Sequence, residues 1–155
     1  MWRGGVDQAA GNVAFAKLLA EAAGVAQPGL GVFGRFLARE GRIDLKKTGL
    51  FGIVTAARVL AIRHHIAEHA TPVRLAGLRA LGLGHDPDLE ALQAAQGVFL
   101  DLLVDQQVAD IAQGIPPSNR VALKRLSARE RGRLREALRA VAHVDELTRD
   151  LLFRD

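Results

Sequence analysis

Four groups of side chains in this sequence of 155 residues carry enough chemistry to build a site. One is His64, His65, Glu68 and His69. On a helix, His65 and His69 share a face, as do His64 and Glu68, so imidazoles could converge on a metal. The order differs from the His-Glu-x-x-His of a zincin. The group also falls where a helix is expected to end, and there histidines interact with the last carbonyls and the dipole. A solvated helix terminus without a metal is the expectation.

The segment 35–58 is the second group. Arg35, Arg42, Lys46, Lys47 and Arg58 surround a single acid, Asp44, in a polar loop that runs into a helix N-terminus. Backbone N–H groups and the dipole favour an anion there, and arginines add bidentate contacts to phosphate or carboxylate. Glycines at 41, 49 and 52 let backbone approach a ligand. The pattern is neither a Walker loop nor a dinucleotide fingerprint. Two readings stay open. Arg35, Arg42, Asp44, Lys46, Lys47 and Arg58 form a substrate-binding set, or Asp44 pairs with an arginine and pins the loop as a clamp. Asp44 is expected to orient an arginine rather than act as a base, because nearby cations would lower its basicity. Lys46 and Lys47 are adjacent and diverge, so at most one reaches a shared ligand.

Asp101 and Asp105, four apart with Gln106 beside them, could hold a divalent ion. Two acids on a helix are more commonly a solvated face. Arg129, Arg131, Arg133 and Arg135 alternate around a helix with Glu130 and Glu136 between them, which predicts salt-bridged surface.

These groups have to be positioned by helices. Alanine and leucine supply 49 residues against 23 for valine, isoleucine and threonine, a balance that favours helix over strand. A first helix is expected over 12–23, with Val13, Ala16, Leu19, Ala20 and Ala23 on one stripe. After the breakers Gly24, Pro28, Gly29 and Gly31, the apolar stretch 32–37 suits a helical turn packed against the bundle. Residues 50–67 read as a helix burying Leu50, Ile53, Ala57 and Leu60. Thr71-Pro72 and Asp86-Pro87 are start signals, a capping side chain followed by proline. The helix from Thr71 ends near Gly82 or Gly84, and the one from Asp86 runs to Gln113, where Gly114 suits a C-terminal cap. Pro116-Pro117-Ser118-Asn119 makes a connector, and Ser127-x-x-Glu130 opens a last helix marked by Leu134, Leu138, Val141, Asp145 and Thr148. No segment alternates long enough for a strand. An all-α, antiparallel up-and-down bundle of four to five helices, a single domain over 1–155, is the economical arrangement.

Composition narrows the function classes. The absence of cysteine excludes disulfides, zinc-thiolate sites and thiol catalysis. No apolar run reaches the roughly 20 residues that cross a bilayer, and the first residues lack signal-peptide order. A cytoplasmic chain is expected, with no membrane partner. The net charge of +4 comes from arginines interspersed with acids, aromatics are few and there is no tyrosine to build a base-stacking platform, so no nucleic-acid partner is expected.

Gly41-Arg42-Ile43-Asp44-Leu45-Lys46-Lys47-x-Gly49-Leu50 and Gly114-x-Pro116-Pro117-x-Asn119, followed by Leu126-Ser127-x-x-Glu130-Arg131, stand together in this order. In these words the chain resembles the C-terminal substrate-binding domain of a bacterial nucleotidyltransferase family, from about 18 to 141. That family carries CBS or cyclic-nucleotide-binding sensor domains and is similar to the protein-PII uridylyltransferases. Gly52, Ser118, Asp101 and Asp105 depart from its usual residues. The resemblance implies a helical accessory domain of a longer enzyme. It would partner the nucleotidyltransferase domain, an upstream sensor domain and a protein or small-molecule acceptor. Homodimerisation stays open. No Gly-Ser pair precedes an Asp-x-Asp here, so no catalytic residue, metal or cofactor is assigned to this chain. Magnesium and nucleoside triphosphate belong to the catalytic domain. A regulatory interaction module without a substrate site is the alternative.

Overall fold

Proline and glycine mark both ends of two helices where the sequence places them. The computed structural model describes residues 28–83 and 86–153; the helix expected over 12–23 lies outside them. Helix α1 spans Phe51–Arg63, α2 Thr71–Ala80, α3 Asp86–Ala112, α4 Ala128–Ala142 and α5 Val144–Phe153. The helical bundle is thus observed, with α3 packed most extensively on α4, α1 on α2 and α5, and α2 on α3. No helix among the described residues is long and apolar enough to cross a membrane.

Helix α3 is about 40 Å long at 1.5 Å per residue. It buries Leu89, Leu92, Phe99, Leu102 and Leu103 against the other helices. Gly114 ends it at φ +69°, with Ile115 N–H donating to the Asp110 carbonyl and Gly114 N–H to that of Ile111, a Schellman closure. At α2 the start is correctly placed but not by the expected hydroxyl. Ala70 is the N-cap, and Pro72 sits in the first turn, where a missing N–H costs nothing. At α4 the Ser127–Glu130 capping box forms in both directions.

Three local expectations are corrected. The polar segment 41–49 is not a loop. Arg42–Asp44 forms strand β1, paired antiparallel with β2, Arg120–Ala122, in the register Ile43 opposite Val121. Three-residue strands are too short for their alternation to be seen in a sequence. Lys46–Leu50 then forms a π-helical stretch that leads into α1. Gly49 lies under Phe99 of α3, where a Cβ would come within 2.5 Å of the ring. Second, α1 stops at Arg63 rather than at residue 67, and His65 adopts φ +58°. Third, the last helix breaks at His143, and Leu134, Leu138 and Val141 belong to α4 while Asp145 and Thr148 belong to α5. The stretch 32–37 does supply a 3-10 turn, Val32–Gly34, but Val32 and Phe33 are exposed and only Phe36 packs on the core.

Helix α5 docks on the end of α1. Arg63 Nε donates to the Leu152 carbonyl at 3.2 Å, and His64 Nε2 lies 3.2 Å from that of Leu151. Cationic and donor groups thereby meet the unsatisfied carbonyls of a helix C-terminus. Burial holds the His64 pKa below its ordinary 6.5, against the opposite pull of the Leu151 carbonyl.

A buried polar network ties the sheet to α3. Gln106 Nε2 donates to Asp110 Oδ1 at 2.7 Å, and Gln106 Oε1 accepts the β2 N–H of Ala122 at 3.0 Å. Asp110 Oδ2 accepts the N–H of Ser118 at 3.0 Å, and Ser118 Oγ accepts that of Arg120 at 2.9 Å. Gln106 and Asp110 are 3% and 1% exposed, so no water substitutes for these partners.

Two outcomes follow from these contacts. Asp110→Ala leaves the Ser118 N–H and the Gln106 amide without an acceptor, a cost of about 3 kcal/mol. The thermal midpoint should fall by about 6–12 °C, measurable by calorimetry. His64 is neutral in the fold with a lowered pKa, so its contribution is complete above 6.5 and is lost as pH falls through the folded value. The midpoint should therefore drop on acidification below about 6.5, and His64→Gln should flatten that slope.

Candidate functional site

The tight turn that starts β1 is built on two positive φ values, Glu40 at 53° and Gly41 at 70°. Arg39 and Arg42 exchange both backbone hydrogen bonds, at 2.9 and 3.0 Å. This is the geometry of a two-residue hairpin turn of the primed type, for which glycine at the second position is favoured. Beyond it β1 is held at both ends. Leu123 N–H donates to the Gly41 carbonyl at 3.0 Å, and Leu45 N–H to that of Asn119 at 3.2 Å.

Where this sheet meets the start of α4, a groove of about 480 Å³ opens between Phe36, Arg42, Leu123, Lys124, Arg131 and Arg135, with Glu40 at its rim. Its arginines are anchored by backbone oxygens. Arg131 donates from Nε and Nη2 to the Leu123 carbonyl at 3.2 and 3.0 Å. Arg135 donates from Nε to the Gly34 carbonyl at 3.0 Å while its guanidinium lies 4.8 Å from the Phe36 ring centroid. Arg42 Nη1 donates to the Arg120 carbonyl at 3.3 Å. A carbonyl fixes a guanidinium without neutralising it, so the groove keeps four cations against one carboxylate. That carboxylate, Glu40, lies 3.7 Å from Arg120, whose Nη2 also bonds the Arg39 carbonyl. The remaining guanidinium N–H groups and the exposed Lys124 ammonium suit an anionic ligand, with Phe36 and Leu123 providing apolar floor.

Of the six sequence-derived candidates, Arg42 lines this groove. Arg35 is exposed one residue before Phe36, at the groove's margin. Asp44 orients no arginine. Its Oδ1 accepts the Lys47 N–H at 3.1 Å and its carbonyl accepts Thr48 Oγ1 at 2.8 Å, and it makes no ion pair among the described residues. It caps the π-helical turn, the work that a short carboxylate does at a helix start. Lys46 and Lys47 are exposed on that turn. Arg58 lies about 20 Å further along, thirteen helical residues beyond Leu45, and faces α2. There, burial first and the Arg58 charge second hold the Arg74 pKa below its ordinary value. The set is therefore split between two ends of a helix.

Lys124, Arg131 and Arg135 were missed as groove residues. Arg131 and Arg135 are four apart, which places them on one face, and that spacing was the available signal. Arg133, between them, points elsewhere and lies 3.7 Å from Asp101. Gln106 is buried in the α3 network, so it is not free to join Asp101 and Asp105 around an ion. The residues 64–69 are not helical, so His65 and His69 do not share a helix face. Among the described residues no three histidines or acids are disposed to hold a metal.

The cap and the groove predict different phenotypes. Asp44→Ala should lower the thermal midpoint by about 2–4 °C through loss of a helix cap. Arg42→Ala and Arg58→Ala should each shift it by less than about 2 °C, and only Arg42→Ala should reduce binding of inorganic pyrophosphate, read by titration calorimetry.

A family model described as putative nucleotidyltransferase substrate binding domain matches residues 13–151. No curated protein and no solved structure matches the chain. The chain belongs to this family.

Proposed function

We propose that this member of the family is the non-catalytic helical domain that holds an anionic acceptor beside a uridylyltransferase-like nucleotidyltransferase domain. The observation that carries the proposal is the groove between the sheet and α4, where Arg42, Lys124, Arg131 and Arg135 converge around Phe36 and Leu123. Arg35, at its margin, extends the positive field toward an approaching ligand. Lys46, Lys47 and Arg58 lie outside the groove and contribute to long-range attraction rather than contact, while Asp44 shapes the backbone. Magnesium and the nucleoside triphosphate reside on the catalytic domain, with a CBS or cyclic-nucleotide-binding sensor upstream in the same cytoplasmic protein. The role of this chain is to bind and orient, which lowers the entropic cost of bringing acceptor and nucleotide together.

A purely regulatory interaction module would rest on a different feature, the exposed apolar face of α3. One assay separates the two. The chain alone, with nucleoside triphosphates and magnesium, should transfer nothing; joined to its catalytic domain, it should support transfer to the acceptor. Arg42→Ala and Lys124→Ala should each raise the acceptor KM about tenfold, the loss of one charge-assisted contact, with kcat little changed. Robust turnover by the isolated chain, or an unaltered KM in both variants, would refute the substrate-holding role.

A further inference from the structure

Two charged side chains are buried among the described residues, Asp110 and Arg74. Both oxygens of Asp110 accept hydrogen bonds. Arg74, on α2, is left with far less. Its Nε donates to the Glu68 carbonyl at 2.7 Å, the one bond its side chain makes among the described residues. Four of the five N–H donors of a guanidinium therefore stand without an acceptor. No carboxylate pairs with it, since the ion pairs among the described residues engage Arg79, Arg120, Arg133 and His143. A cation taken out of water without a counter-charge is a cost that folds normally avoid.

Local geometry holds this cation in place. A helical side chain leans toward the N-terminus of its own helix, which carries the Arg74 guanidinium back over the segment 64–70. The Glu68 carbonyl fixes it there, and Ile66 of the same segment packs over Gly77 of α2. On the other side, Arg58 of α1 stands close enough for its charge to act on Arg74. Arg58 is exposed, and its side chain makes no hydrogen bond or ion pair among the described residues. The Arg74 Nη groups are not among the enclosed unbonded atoms of the described residues, so they meet solvent.

We propose that Arg74 and Arg58 form a second anion site, separate from the groove, that takes a carboxylate. Arg74 grips it from between α1 and α2, and Arg58 closes on it from the surface. Charge and shape choose that class. Two guanidiniums without an acid call for an anion. With Nε occupied, the Nη1–Nη2 edge of Arg74 remains, and a carboxylate meets such an edge with two parallel bonds. The opening is narrow, because Arg74 is only 6% exposed. A planar carboxylate enters it edge-on, whereas a tetrahedral phosphoryl group needs room on every side and suits the wider groove at Arg42. A free carboxylic acid and an acidic side chain of the nucleotidyltransferase domain both carry this group.

Malonate is the probe, titrated at constant ionic strength into the 155-residue chain while the Arg74 Nε–H signal is followed by NMR. The signal should move saturably, with half-saturation at about 1–10 mM, and inorganic phosphate should require about tenfold more. Arg58→Ala changes an exposed position and should keep the fold. It should raise the half-saturating concentration about tenfold, the loss of one charge-assisted contact. Arg42→Ala should leave that concentration unchanged, which separates this site from the groove. With the nucleotidyltransferase domain joined, a signal that still answers to malonate assigns the site to a free acid. A signal already shifted and unresponsive to malonate assigns it to an acidic side chain of that domain. In the isolated chain, a signal that does not saturate by about 100 mM overturns the proposal. An equal response to phosphate, or a half-saturation untouched by Arg58→Ala, overturns it as well.

Discussion

The Gln106–Asp110 pair is the constraint on which the sheet, the groove and the helix order all rest. It sits on the buried side of α3, among leucines and Phe99, where an unpaired amide or carboxylate would be expensive. Every one of its polar bonds reaches either the other member or the backbone of residues 118–122. β2 is consequently fixed to the C-terminal turns of the longest helix, and β1 is fixed to β2. Asp44 then starts the π-helical turn, which brings Gly49 against Phe99 of α3 once more. The chain therefore closes a circuit from α3 through both strands and back to α3, and the groove lies on its outer side.

Arginine use explains why the groove remains positive. Arg42, Arg63, Arg74, Arg120, Arg131 and Arg135 all donate to backbone carbonyls. Such bonds satisfy chain ends and turns that would otherwise lack donors, and they leave the formal charge intact. Apart from Arg120 with Glu40 at the rim, the ion pairs of Arg79 with Asp86 and Arg133 with Asp101 lie elsewhere on exposed surface, where they contribute little to stability. A cation held by a carbonyl is rigid and still available to an anion. The same side chains thus build the turns and set the field of the site.

Much of the helical frame was legible from residue types with strong local rules. Gly114, Pro72 and the Ser127–Glu130 box act within one turn of themselves, so their effect does not depend on the rest of the fold. The strands were not legible, because only Ile43 alternates with partly exposed neighbours on each side, while in β2 the buried Val121 is followed by the buried Ala122, too little to define a period. The break at His143 was hidden for a related reason, since Leu134 to Thr148 keeps helical spacing across it. The candidate site was half legible. Fixed charge near Gly41 pointed to Arg42, but the groove's other wall comes from residues about eighty positions later. Only tertiary pairing brings Arg131 and Arg135 there, and sequence proximity drew attention instead to Lys46, Lys47 and Arg58.

That long separation has a kinetic consequence. The hydrogen bond from Arg42 to the Arg120 carbonyl spans 78 residues, so pairing β1 with β2 closes a loop that contains α1, α2 and α3. Loop-closure entropy grows with the logarithm of length, and contacts between remote segments form slowly. The helices, whose bonds are local, can assemble first and shorten the effective loop by bringing its ends together. The strand pair is then the last piece to lock, and the cationic groove that it borders comes into existence only with completion of the native state. A chain emerging from synthesis would carry its helices before it could present this groove to any ligand.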